Sequence, residues 1–211
     1  MNTSKARVKR NLAHRQSKMF PKRPEPEKAW MGTITGKKFN PFEPNVDDID
    51  IRDIARGLAM TCRYGGQVKR FYSVAEHCVH VSMLVAPQYR LHGLLHDSAE
   101  AYIGDMIRPM KHHPQMLEFR RTEALLESAV ALKFGLNWTL EAQVCVKAIA
   151  TRILVDEVRV LSRMPDAYLN TPFLSKLKPT GKHLYCWSPE EAEQAFLNHF
   201  ENLTGTIVER L

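Results

Sequence analysis

Residues 51–62 read IRDIARGLAMTC. Ile51, Ile54, Ala55, Leu58, Ala59 and Cys62 recur at i, i+3, i+4, i+7, i+8 and i+11, the spacing that lines one face of an α-helix, and Gly65-Gly66 stops it. The same signal repeats further along the chain. Ser73 followed by Glu76 has the form of a capping box, opening a second helix that runs to about Val85. A third spans roughly Pro87 to Ile103 and ends at Gly104, and a fourth begins at Pro114 and lasts until Gly135. Thr139 caps a fifth that extends to about Arg163, ahead of Pro165. Ser188, Pro189 and Glu191 open a sixth that runs to about Leu203. Upstream, Gly32, Gly36, Pro41 and Pro44 break the chain into short apolar pieces, with room for one small hairpin around Gly32–Lys38. The expected fold is all-α: a compact bundle of about six helices, with a hairpin before the first.

Composition narrows the function classes. The net charge of +7 suggests nucleic acid at first, but nine Lys or Arg against Glu25 and Glu27 in residues 1–30 account for all of it, and the rest of the chain is neutral. Residues 1–29 carry few large apolar side chains and end in a Pro-punctuated stretch, so they read as a basic, disordered arm, and 30–211 as the domain. Phosphate contacts from that arm to nucleic acid stand beside the plainer reading of a solvated tail. Cys62, Cys78, Cys145 and Cys186 lie far apart with no CxxC pair, which argues against a zinc ribbon or disulfide scaffold and fits a reducing cytoplasm. No apolar run approaches the ~20 residues that span a bilayer, and the N-terminus lacks the apolar stretch of a signal peptide. A cytoplasmic protein without a membrane partner is expected.

Chemistry-bearing residues gather on the second and third helices. His77 falls within helix two, and His96, Asp97 and Glu100 follow on helix three, where His96 and Glu100 are i, i+4 and Asp97 and Glu100 are i, i+3. Ionisable side chains crowded among Leu91, Leu94 and Leu95 are costly to bury unless they are paired or hold a cation. Imidazole plus carboxylate suits a first-row divalent ion. A lone helical histidine is ordinarily filler, and His14, His80, His92, His112, His113, His183 and His199 are read so. An adjacent His-Asp pair alone is also weak. The ordered set lifts it: helical His, then His-Asp, then Glu, then Asp105 just past the helix end.

Three stretches carry a resemblance: DIA at 53–55 with CRY at 62–64, FYSVAEH at 71–77, and GLLHDSAEAYIGDMIRPMK at 93–111. Together they resemble the HD-domain metal-dependent phosphohydrolases, over roughly residues 30–200. The branch most similar contains bacterial deoxynucleotide 5′-nucleotidases and phage dATP triphosphohydrolases. The resemblance implies an HD-domain helical bundle with His77, His96 and Asp97 as ligands of a divalent ion (Zn, Co, Mn or Mg). It implies Glu100 and Asp105 as the acidic residues around the attacking water and leaving group. Arg63 and Lys111 match phosphate-contacting positions, and Tyr64 matches an aromatic that packs on the deoxyribose. The residue types suit those roles: Arg offers a planar fork to phosphate oxygens, and Lys a point charge.

One position departs from the family pattern. The family's last metal ligand is an Asp on a later helix, and the ungapped stretch VKAIATRILVDE at 146–157 places Ala150 there. Asp156 is the obvious substitute, but six residues on it lies about 120° round the helix and ~9 Å along it. Glu157, at i+7, is on the right face but matches the family's own downstream Glu. The site therefore reads as short of one carboxylate, by natural loss or by design. The expected function is metal-dependent hydrolysis of deoxynucleotides. A triphosphohydrolase preferring dATP leads, tilted by the pattern around Phe71 and Tyr72, either active or inactivated by Ala150. A deoxynucleoside 5′-monophosphatase and a non-catalytic nucleotide- or nucleic-acid-binding protein are the alternatives. Its expected partners are the deoxynucleotide and further copies of itself.

Overall fold

In α1 (Ile51–Met60), Asp50 caps the first turn by accepting from the Arg52 N–H, and Ile51, Ile54, Ala55, Leu58 and Ala59 face inward. The computed structural model describes residues 29–211, so the arm expected over 1–29 lies outside them but for its last residue. The hairpin ahead of α1 pairs β1 (Met31–Gly32) with β2 (Lys38–Phe39), antiparallel, and is the only sheet among the described residues. Its tip is fastened to α1, because buried Asp53 accepts from both the N–H and the hydroxyl of Thr35 at 2.9 Å. Phe39 is fully buried and stacks on Tyr102 at 4.0 Å.

The helical periodicity extends to Cys62, but the helix stops two residues earlier. Cys62 forms a β-bridge with Ser73, flanked by the bonds Arg63 N–H to Tyr72 O and Val74 N–H to Thr61 O. A tight 3-10 turn, Arg63–Gly66, follows. Arg63 and Tyr64 therefore sit on a turn pinned to the start of the next helix rather than at a helix end.

That helix, α2 (Val74–Leu84), is buried on every side from Val74 to Ser82. It packs against α1, α3 (Arg90–Leu95), the long α7 (Leu140–Leu161) and the C-terminal α9 (Pro189–Thr204). Ser73 caps it, accepting from the Glu76 N–H at 3.0 Å, but the capping box is not closed. The Glu76 carboxylate turns the other way and accepts the N–H groups of Tyr185, Cys186 and Trp187 at 2.7–3.0 Å. Three loop amides outbid one amide at the helix start. The close approach of α3 to α2 depends on Gly93, where a Cβ would lie 2.9 Å from the Ser82 Cα.

The expected single helix from 87 to 103 is instead three pieces: a 3-10 turn Pro87–Tyr89, α3, and α4 (Glu100–Ile103). Between α3 and α4 the backbone tightens to i→i+3 bonds, Ser98 to Leu95 and Glu100 to Asp97 among them. The His96 ring explains the break. Its Nδ1 bonds the Gly93 carbonyl at 2.9 Å, the acceptor that a regular helix would give to the Asp97 amide.

Downstream come α5 (Arg108–Lys111), α6 (Leu117–Lys133), α7 capped by Thr139, α8 (Pro165–Leu169), and α9 with its complete Ser188–Glu191 capping box. The protein is mostly helical and compact, and no described helix is long and apolar enough to cross a membrane.

Candidate metal centre

His77 on α2 and His96–Asp97 in the turn after α3 come together, each offering a ligand atom within 4.8 Å of the others. The Asp97 Oδ2 lies 3.2 Å from His96 Nε2 and 3.7 Å from His77 Nε2. The far nitrogen of each ring is already engaged: His77 Nδ1 lies 2.6 Å from Glu157 Oε1, and His96 Nδ1 2.9 Å from the Gly93 carbonyl. A carboxylate and a carbonyl can only accept, so each Nδ1 carries the hydrogen and Nε2 is left for a cation. Two imidazole nitrogens and a carboxylate oxygen thus converge on one point, a donor set that fits a first-row divalent ion.

Electrostatics agree. Burial raises the Asp97 carboxyl, but His96, His77 and Arg63 more than reverse this and hold it far below the carboxylate range. Burial pushes His96 down, yet Asp97 lifts it well above the usual imidazole value. The Asp97 carboxylate therefore favours positive charge at this spot, whether a proton or a metal ion. Burial and Arg63 lower His77. The His77 side chain is 2% exposed against 21% for Asp97, so the group opens to solvent on the Asp97 side.

No family model matches the chain. It is 37% identical over 108 residues to the uncharacterized protein YfdR of Escherichia coli, covering 51% of this chain and 60% of that one. It is also 37% identical over 175 residues to the uncharacterized protein RCAP_rcc00048 of Rhodobacter capsulatus, covering 72% of this chain and 89% of that protein. The chain belongs to the family of the Rhodobacter protein.

The remaining sequence-derived site residues surround the ligand group unevenly. Arg63 is largely buried, 3.6 Å from Asp97 Oδ2 and 3.4 Å from Glu157 Oε2, and its Nε has no hydrogen-bond partner among the described residues. Glu100 is 5% exposed and its Oε2 has no hydrogen-bond partner among the described residues. Burial first, then Asp97 and Asp105, push its carboxyl up to about 9. Asp105 follows the end of α4, half-buried, where its charge acts on both Glu100 and Arg63. Lys111 lies 3.8 Å from Glu100 but 2.6 Å from Glu123; burial pushes its ammonium down, and Glu123 more than reverses this and keeps it charged. Tyr64 is tied down through its hydroxyl, 2.6 Å from Glu157 Oε2.

On α7, Asp156 does not stand in for a missing ligand. Both its oxygens are used by the 180–181 loop, accepting from the N–H and hydroxyl of Thr180 and the N–H of Gly181. Ala150 is half-buried and packs on the apolar cluster of Val81, Val85, Val146 and Ile153. His92 points elsewhere, bonding the Asn137 carbonyl and meeting the Trp138 ring edge-on.

Two contributors escaped the sequence reading. Glu157 was placed on the inward face, but nothing in spacing marks it as the partner of His77. Glu123 meets Lys111 across a loop and a helix start, a pairing with no local signature. Glu157 has no exposed surface, and Arg63 and His77 hold it down to about 2 against the upward push of burial.

Proposed function

We propose that this protein is an HD-type metal-dependent phosphohydrolase acting on deoxynucleotides, with dATP favoured and a triphosphate preferred over a monophosphate. The convergence of two Nδ1-anchored imidazoles on the Asp97 carboxylate carries the reading. The cations beside it support a phosphate-bearing substrate. Arg63 keeps a buried, unpartnered Nε–H, a group whose desolvation costs about 1–3 kcal/mol until an acceptor arrives. Lys111 supplies a second positive charge from α5.

His77, His96 and Asp97 would hold the ion, which when bound lowers the pKa of its water and polarises a phosphoryl oxygen. Arg63 and Lys111 bind and orient the phosphate chain. Glu100 would serve as the acceptor for a proton of the attacking water through its Oε2, provided that positive charge bound at the ligand group brings its raised carboxyl down into the working range. Asp105 adds negative charge at the edge of the site and attracts the Arg63 guanidinium through space.

Ala150 occupies the position where the family pattern has a carboxylate, which favours weak ion binding and slow turnover. The test is release of phosphate or triphosphate from dATP and dAMP with Mn, Co, Mg and Zn, in the parent and in Ala150→Asp. Slow metal-dependent hydrolysis in the parent, at least tenfold faster in Ala150→Asp with dATP leading, is the expected outcome. If neither protein releases product with any metal while the parent binds DNA with a steep salt dependence, the binding-protein reading replaces this one.

A further inference from the structure

Tyr64 holds a backbone conformation that a side chain seldom adopts, with φ 59° and ψ 25°. Such strain persists only where the surroundings enforce it, and here they do. Cys62, two residues earlier, is bridged to Ser73 beside the first turn of α2, and Arg63, immediately before Tyr64, is clamped between Asp97 and Glu157. The Tyr64 ring wedges between two apolar clusters, one holding Leu154 and the other Leu161. Those leucines flank Glu157 on the same face of α7. The strained turn thus delivers a phenol to a carboxylate that has no contact with solvent.

Glu157 spends its two oxygens on different partners. Oε1 faces His77 Nδ1 at 2.6 Å, and Oε2 takes the Tyr64 hydroxyl at 2.6 Å and the Arg63 guanidinium at 3.4 Å. Fastened through Oε2, the carboxylate cannot swing toward the ligand group, and its Oε1 accepts a hydrogen from His77. We infer that Glu157, anchored by Tyr64, is the positioning residue that fixes His77 as the Nδ1–H tautomer and aims Nε2 at the ion. Tyr64 thereby acts on the metal site through Glu157. This inference rests on the metal site of the proposed function, but it does not depend on which nucleotide is hydrolysed.

Buried carboxylates behind a ligating histidine typically account for about 10–100-fold in metal affinity. The discriminating variants are Glu157→Gln and Tyr64→Phe. Glutamine keeps the shape but can present either its carbonyl or its NH2 to His77, so the tautomer is no longer enforced. Phenylalanine keeps the ring wedge and removes only the hydroxyl. Glu157→Ala strands Arg63 without this partner and is at greater risk of not folding, so it is not relied upon.

Two measurements on the full chain decide the matter. Long-range proton–nitrogen NMR on metal-free protein reads the His77 tautomer, and titration with Mn, Co or Zn alone reads the dissociation constant. The parent should show a single Nδ1–H tautomer. Glu157→Gln should show a mixed or inverted tautomer with about tenfold weaker metal binding. Tyr64→Phe should keep the tautomer with a two- to fivefold loss. Metal-free melting temperatures accompany both, because a merely structural residue would lower them without moving the tautomer. Equal metal affinity in the parent and Glu157→Gln, or an Nε2–H tautomer in the parent, overturns the inference while leaving the metal site standing. A parent that binds no divalent ion overturns both.

Discussion

His80 lies one turn beyond His77 on α2 and is wholly buried, with its Nε2 unpartnered among the described residues, 3.9 Å from the Glu76 carboxylate. Spacing alone could not separate the two, because α2 is interior all round and every position on it reads as a core position. Their partners separate them. His77 faces Glu157 and Asp97, while His80 faces Tyr72, Tyr185 and Trp187. Burial, then Lys182 and His77, push the His80 imidazole from 6.5 down to about 3. The native state therefore keeps it neutral while the unfolded chain protonates it near pH 6.5. Between those values the unfolded chain holds one proton more, so stability falls as the pH drops, by about 1.4 kcal/mol per pH unit. Above pH 6.5 the residue adds no pH dependence. Urea unfolding at pH 7, 6, 5 and 4 should show a flatter stability profile for His80→Gln than for the parent. Parallel profiles would remove His80 as the cause.

Glu76 is the corresponding case at the scale of the element. Its place three residues after Ser73 is the signature of a capping box, and the sequence supports no other reading. The structure gives it a longer reach: it holds the amides of Tyr185, Cys186 and Trp187 and so fixes the irregular 178–187 segment across α2. Asp156 and Arg152 secure the same segment at its start, through Thr180, Gly181 and the carbonyls of Lys178 and Pro179. A hydrophobic pattern cannot show this segment, because polar side chains on distant helices set its path. The break between α3 and α4 is hidden for a similar reason, since it follows from one ring bonding one carbonyl. Glu76→Ala leaves three loop amides unmatched. A buried donor left unpaired costs about 1–3 kcal/mol, and since these amides are only partly buried a total loss of roughly 2 kcal/mol is expected in chemical denaturation. Glu76→Gln, which retains one acceptor, should recover part of it. A loss below 1 kcal/mol for Glu76→Ala would mean that Asp156 and Arg152 suffice.

Across the whole molecule, periodicity and caps revealed the helical class, the hairpin and the long helices, because apolar faces and N-caps are written locally. Which helices face each other was legible only through the His-Asp resemblance, which pointed to the meeting of α2 with the turn after α3. That meeting would make ion binding at the His77–His96–Asp97 group a matter of global stability. The ligands come from two segments that have no fixed relation in the unfolded chain, so an ion bound to all three favours the folded state alone. At a free concentration of 100 times its dissociation constant the ion should add about 2.7 kcal/mol to stability. For a domain of this size, that raises the melting temperature by roughly 5–11 °C. His96→Ala removes one imidazole from the group, and the remaining His77 and Asp97 cannot hold the ion at the same concentration. The parent should therefore show a metal-dependent rise in scanning calorimetry that saturates with Mn, Co or Zn, and His96→Ala should show almost none. Because the comparison is the shift within each protein, any loss of basal stability in the variant drops out. An equal shift in both proteins would place the ion elsewhere, and the His77–His96–Asp97 group would then be only a buried polar network.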